Sequence, residues 1–274
     1  MDIKAKIESK KFVPQPLKDQ FFLVDEKIID DLIKFGEVNN ADTVLEIGAG
    51  FGNVTKEIAR SAKKVIAFEI DKRFKPYLDN LPKNVDLHFE DAWDYVQLHG
   101  KFEKRRVFNK IISNLPYSFC EKLLHNLTFL EYEKVVLLVP LKFVNTIKEN
   151  GIFSSFFECV LLETVSRNSF FPVPKTNSAL IDLRKLKDPL KEKNLPLFLR
   201  QYIYQHEDAK VKNSLREGLI VYSRLVNNKD LTKNEARKII AGTKLKNELL
   251  DQAPNSFEIY NEISLKFTSD IIKS

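Results

Sequence analysis

The segment 43–62, TVLEIGAGFGNVTKEIARSA, most narrows what this chain can fold into. It opens as an apolar run of strand type, passes Gly48, Gly50 and Gly52 at alternate positions, and continues with Val54, Ile58 and Ala59 on one helical face. KVIAFEID (64–71), VDLHFEDAW (85–93), FNKIISNLPY (108–117) and KVVLLVPL (134–141) read as four further strands. Between them RFKPYLDNL reads as a short helical segment interrupted by Pro76. Ahead of them, VDEKIIDDLIKFGEV (24–38) carries Ile28, Ile29, Leu32, Ile33 and Phe35 at helical spacing and is ended by Gly36. Strands alternating with helices require right-handed crossovers and a mainly parallel sheet covered on both faces. Ligands in such sheets sit beyond the carboxyl ends of the strands.

Two more strands can be drawn around a Pro-rich turn in LLETVSRNSFFPVPKTNSALIDLRKL (161–186). Beyond Asp188-Pro189 the pattern turns helical and polar, in LPLFLRQYIYQ (195–205), VKNSLREGLIVYSRLV (211–226), TKNEARKIIAG (232–242) and SFEIYNEISLKF (256–267). The expected division is an α/β domain over 1–187 and a smaller all-helical domain over 188–274. No apolar run approaches the roughly 20 residues of a membrane helix, and MDIKAKIESKKF has no signal-peptide core. Cys120 and Cys159 alone make no disulfide framework, which points to the cytoplasm. The four histidines, His88, His99, His125 and His206, are scattered without metal spacing. The net charge of +6 is concentrated in Lys4, Lys6, Lys10, Lys11 and Lys18 and in KFEKRR (101–106), so a polyanionic partner is plausible beside the plainer reading of a solvated surface.

The glycine loop EIGAGFG matches neither the dinucleotide fingerprint nor a P-loop, and no Lys is placed in it for a phosphate. A phosphate-free nucleotide is then attractive, and S-adenosylmethionine is one. Glu69, ending the second strand, stands where an acid can accept from both ribose hydroxyls. Asp91, ending the third, can accept from an adenine amino group. At the fourth strand end, Asn114-Leu115-Pro116-Tyr117 puts an amide and a flat ring at one spot. If the Asn114 oxygen and the Leu115 carbonyl each accept one N–H of an exocyclic amine, its lone pair is freed for attack, while Pro116 fixes the turn and Tyr117 offers a stacking face.

These motifs resemble the ribosomal RNA adenine N6-dimethyltransferases, the family of the small-subunit rRNA dimethylase and the macrolide-resistance rRNA methylases. The resemblance runs through DQFFLVD (19–25), similar to the family's G-Q-N-F-L-x-D, then VLEIGAGFGNVT, AFEID, EDA, NLPY and FFPVPKTNSALI (170–181). It implies a Rossmann-like S-adenosylmethionine-dependent methyltransferase sheet with a helical RNA-binding tail. Gln20 and Leu23 would contact the cofactor, Gly48 and Gly50 its methionine portion, Glu69 the ribose, Asp91 the adenine, and Asn114 both cofactor and target. Phe170 would sandwich the target base against Tyr117, and Arg200, Lys210, Lys212 and Arg216 could bind phosphates. The implied activity is dimethylation of adenines in small-subunit ribosomal RNA within a preribosomal particle; a monomer is the default expectation, and the composition gives no membrane partner. The rival readings are a large-subunit methylase of the resistance type and a weakly catalytic ribosome-assembly or transcription factor on the same fold. Three departures stand out. Phe21 replaces the family's Asn, VPLKFVNTI (139–147) lacks the Gln and Glu of Q-x-E-x-A, and HEDAK (206–210) is acidic where the family is often basic.

Overall fold

The computed structural model describes residues 12–102, 106–268 and 271–272. Lys4, Lys6, Lys10 and Lys11, and positions 103–105 of the KFEKRR segment, lie outside the described residues. The strands are β1 (Phe22–Leu23), β2 (Thr43–Ile47), β3 (Lys64–Phe68), β4 (Val85–His88), β5 (Lys110–Asn114), β6 (Lys134–Pro140), β7 (Phe157–Val165), β8 (Phe170–Phe171) and β9 (Ser178–Lys185). Seven of them form one sheet in the order β4-β3-β2-β5-β6-β9-β7. Neighbours from β4 to β6 run parallel, and β9 lies antiparallel to β6. Val44, Leu45, Val65, Ala67, Ile111, Ile112 and Val135 through Val139 are all but inaccessible. Such unbroken apolar runs belong to a sheet covered on both faces.

From β2 the chain steps outward to β3 and β4, then returns to the other side of β2 for β5 and β6. Connections leaving β2 and β5 in opposite directions open a crevice at their carboxyl ends. Helix α1 (Glu26–Phe35) buries Ile28, Ile29 and Leu32. Its cap, Gly36, has an ordinary backbone, but a Cβ there would run into Ile112 Cδ1, so glycine eases the close approach to the sheet. Helix α2 (Asn53–Ser61) buries Val54, Thr55, Ile58 and Ala59. Pro76 does not interrupt a helix, as its position in RFKPYLDNL implied; it stands in the first turn of α3 (Lys75–Leu78), where the missing N–H has no intrahelical acceptor to lose. Helices α4 (Ala92–Gln97), α5 (Cys120–Leu127) and α6 (Leu141–Glu149) follow.

The chain divides into two compact units, Met1–Thr146 with Cys159–Arg184, and Ile147–Glu158 with Lys185–Ser274. The excursion at 147–158 belongs to the second unit although it runs into the start of β7. In that unit, helices α7 (Leu195–Gln205), α8 (Val211–Asn227), α9 (Lys233–Gly242), α10 (Asn247–Leu250) and α11 (Phe257–Lys266) enclose Leu199, Leu215, Tyr222, Ile259, Tyr260 and Ile263. Gly218 lets α8 approach α7 closely, since a Cβ there would stand 3.0 Å from Leu199 Cδ2.

Candidate active site

A cavity of about 480 Å³ opens at the carboxyl ends of β2, β3 and β5, a size within the range of small-molecule sites. Its wall carries the carboxylates of Asp19, Glu69, Asp71, Glu90 and Asp91 against two lysines, Lys72 and Lys122. That balance suits a cationic ligand rich in hydroxyls and amines and disfavours a phosphate.

The glycine loop is the floor. Gly48 and Gly50 take φ of 85° and 53°, and a Cβ on Gly48 would stand 3.0 Å from Pro116 Cγ. The Gly48 and Ala49 N–H groups both donate to the Phe68 carbonyl, at 2.8 and 3.0 Å, which folds the loop back over β3. Glu69 is buried, and its two oxygens accept from the Gly50 and Asp71 backbone N–H groups at 2.8 Å each. Each oxygen retains a lone pair for a ligand hydroxyl. Burial pushes the Glu69 pKa up, against the pull of those two donors. Behind it, Glu46 is more deeply buried, and desolvation raises its pKa to about 8, with Thr55 opposing and the Glu69 charge adding to the rise. Asp91 caps α4, accepting from Trp93 N at 2.9 Å through Oδ1, and lies exposed at the cavity wall.

Residues 19–21 close a second side. The Gln20 amide is already engaged by protein: Oε1 accepts from Gln15 N at 2.8 Å and Arg73 Nη2 at 3.2 Å, and Nε2 donates to Asp71 Oδ2 at 2.8 Å. The Arg73 guanidinium beside Asp71 holds that carboxyl down to about 2. Arg73 also reaches the Val13 carbonyl and lies over the Phe12 ring, so one Asp–Arg pair fastens Phe12 and Val13 to the rim of the cavity. Gln20 faces the cavity; Leu23 does not, being buried where β1 pairs with β8 (Leu23↔Phe170).

The NLPY segment forms the third side. Asn114 Nδ2 donates to the Phe21 carbonyl at 3.3 Å, and no described residue donates to its Oδ1. Leu115 is buried and its N–H continues the ladder to the Leu138 carbonyl at 3.0 Å. The Tyr117 ring is stacked on Phe21, with centroids 6.0 Å apart and planes 28° apart, and its hydroxyl lies 3.3 Å from the buried Ser178 Oγ. Ser118 N donates to Asp19 Oδ2 at 2.7 Å. Phe170, 3% exposed, lines the same cavity from β8. Gln20, Gly48, Gly50, Glu69, Asp91, Asn114, Leu115, Pro116, Tyr117 and Phe170 are thus brought to one cavity, and Leu23 stands behind it.

Sequence reasoning passed over Asp19, Phe21 as a ring, Ser178 and Ile70. Asp19, Phe21 and Ser178 lie inside motifs already singled out, but what they touch is decided by contacts 61 to 99 residues away in the chain. Ile70, next to Glu69 in the wall, is 67% exposed, an apolar side chain facing open space. The tail cations have partners within the second unit. Arg200 is half-buried and spends its guanidinium on the Gly151 carbonyl and the Ser154 and Ser264 hydroxyls. Lys212 pairs with Asp251 at 2.5 Å and Lys210 with the same carboxylate at 3.9 Å, while Arg216 is held by Glu217 and Asn213.

An acid-lined cavity at the switch point of a parallel sheet, with a carboxamide at the end of the neighbouring strand, gives the first unit the Rossmann-like architecture of methyltransferase folds. The chain is similar in backbone to a solved dimethyladenosine transferase from Plasmodium falciparum, with a TM-score of 0.54 at 19% identity, covering 89% of this chain and 96% of that one. The solved 23S rRNA methyltransferase ErmE has a TM-score of 0.52 at 20% identity, covering 89% and 99%. A family model describing ribosomal RNA adenine dimethylases matches residues 15–262. Among curated relatives, a probable ribosomal RNA small subunit methyltransferase A of Pyrococcus abyssi is 29% identical over 212 residues, 73% of this chain and 74% of that protein. A ribosomal RNA small subunit methyltransferase A of Mycoplasmopsis synoviae is 34% identical over 197 residues, 67% and 74%. The chain belongs to the ribosomal RNA adenine dimethylase family.

Proposed function

We propose that this protein methylates the N6 amines of adenosines in small-subunit ribosomal RNA to N6,N6-dimethyladenosine, using S-adenosyl-L-methionine, as a cytoplasmic monomer acting on a preribosomal particle. The observation that carries it is the Asn114 amide, tied at its nitrogen to the Phe21 carbonyl, opening on the same acid-lined cavity as Glu69 and Asp91. The cavity fits the cofactor: glycines at positive φ floor it, the spare lone pairs of Glu69 suit ribose hydroxyls, and Asp91 suits the adenine amine. Ile70 offers an apolar face to the same ring.

When bound, the cofactor supplies a methyl group on a sulfonium, an electrophile whose leaving group needs no acid. Asn114 Oδ1 and the Leu115 carbonyl each accept an N–H from the target amine, drawing nitrogen out of conjugation with its ring. The methyl group would come from the sulfonium to the amine nitrogen held by Asn114 and Leu115, and the amine would give up one N–H proton to solvent. Tyr117 and Phe170 hold the base, which supplies orientation. A base can reach this depth only when flipped or presented by a loop.

The helical segment 188–274 is proposed to hold the RNA backbone. Lys210 and Lys212 are exposed, and water screens their pairs with Asp251, so a phosphate can replace that carboxylate. Arg200 is excluded from this role by its hydrogen bonds.

Methyl transfer from labelled cofactor to small-subunit particles lacking the modification, and in parallel to large-subunit RNA, tests the reading with Asn114→Ala as control. Dimethyladenosine only in the small-subunit digest, lost in the variant, is the expected result. Product only in large-subunit RNA would move the reading to a resistance-type methylase. No transfer to either, with particle binding intact, would make it an assembly factor.

A further inference from the structure

We infer that Asp19, Phe21 and Ser178 are positioning residues that lock the Tyr117 ring before RNA arrives, so that Phe21 serves the target base and not the cofactor. The inference rests on the proposed function and specifies how its base pocket is built. Asp19 and Phe21 stand where the related motif G-Q-N-F-L has glycine and asparagine. Both departures converge on one loop. Asp19 takes the left-handed φ of 58° that glycine would occupy, which aspartate tolerates, and its carboxylate accepts from Ser118 N at 2.7 Å. Phe21, next but one, lays its ring on Tyr117 and its carbonyl on Asn114 Nδ2. Ser178, 1% exposed at the start of β9, meets the Tyr117 hydroxyl.

The Phe21 and Tyr117 centroids are 6.0 Å apart, less than the about 7 Å that two van der Waals gaps around an inserted base require. Phe21 is therefore a backing plate, and a base must take the other face of Tyr117. With its backbone held through Ser118, its ring face backed and its hydroxyl engaged, Tyr117 has little rotamer freedom left to lose when a base binds. Ordering a free ring at that moment would cost affinity. An asparagine at position 21 could supply none of the ring contact.

Two experiments test this. Fluorine NMR of the full chain with 3-fluorotyrosine at position 117 reads the ring directly and needs no methyl transfer, so it stands even if the substrate assignment fails. One narrow line is expected in the otherwise unaltered protein, and a broadened or split line in Phe21→Leu and Ser178→Ala. In kinetics on small-subunit particles, both variants should raise KM for RNA by about 5- to 20-fold while the dissociation constant for S-adenosylmethionine stays within about twofold. Ser178→Ala should add nothing in a Tyr117→Phe background, and Ser178→Thr should restore most of the loss. An unchanged fluorine line in both variants would overturn the inference. So would cofactor affinity falling as far as RNA affinity, or Phe21→Asn matching the natural protein.

Discussion

Glu69 shows how a single side chain is committed before any ligand arrives. Its two oxygens are aimed by the N–H groups of Gly50 and Asp71, and its burial leaves it more easily protonated than an ordinary glutamate. In the proposed complex the ionised form is the better acceptor for two hydroxyls, so affinity for S-adenosylmethionine should be full at neutral pH and fall as pH drops through the raised Glu69 pKa, above the usual 4.5. Glu69→Gln removes the charge from those bonds and should weaken cofactor binding about 10- to 100-fold at pH 7 while flattening that acid limb. Isothermal titration between pH 5 and 8 checks both. Gln20 carries a different lesson: with Asp71, Arg73 and Gln15 on its amide, it fastens the segment around Gln15 beside the cavity.

Between strand and helix, the β2–α2 turn does its work through backbone. Gly48 combines a φ of 85° with a neighbour, Pro116 Cγ, 3.0 Å from where a Cβ would sit. The glycine floor of the cavity and the NLPY wall therefore meet at a point where a Cβ is crowded. Gly48→Ala must either strain the turn or push Pro116 away, and should cost about 1–3 kcal/mol of stability in urea denaturation together with measurable loss of cofactor affinity. The short β1–β8 ladder has a parallel role, for its two residue pairs bring Phe21 and Phe170 to the cavity from opposite ends of the first unit's sequence.

Across the whole molecule, buried charge sets how stability depends on pH. At the amino ends of the strands, Lys110 meets Asp42 at 3.0 Å and donates to the Gly36 and Glu37 carbonyls. Burial alone would raise the Asp42 pKa, but Asn109, Lys110 and Asn39 outweigh it and lower it, so this site's contribution is complete at neutral pH and lost only in strong acid. Glu46 works in the opposite sense. With a folded pKa of about 8 against an ordinary 4.5, the folded state holds a proton that the unfolded chain releases, and stability falls as pH rises between those values. Glu46→Gln should remove that fall. Its unfolding free energy relative to the natural protein should rise by up to about 1.4 kcal/mol per pH unit between pH 5 and 8, measured by denaturation across that range.

The sheet, its glycine loop and the acids and amide at successive strand ends were legible in the sequence, because each depends on a local pattern: an apolar run of period two or less, a turn that needs positive φ, a polar residue where the run stops. Helix ends near Gly36 and over 195–205 were legible for the same reason. Pro76 was misread because proline looks alike at the start of a helix and at a break in one, and only its place in the first turn tells them apart. The excursion at 147–158, the taking of Arg200 by Gly151 and Ser154, and the meeting of Asp19, Phe21 and Ser178 around Tyr117 were not legible. Short-range periodicity determined which chemical groups this chain would present at the edge of its sheet. Which of them remained free to act, and which were consumed in holding one another, was decided only by tertiary contacts, since a hydrogen bond or ring stack depends on proximity in space and leaves no period along the chain.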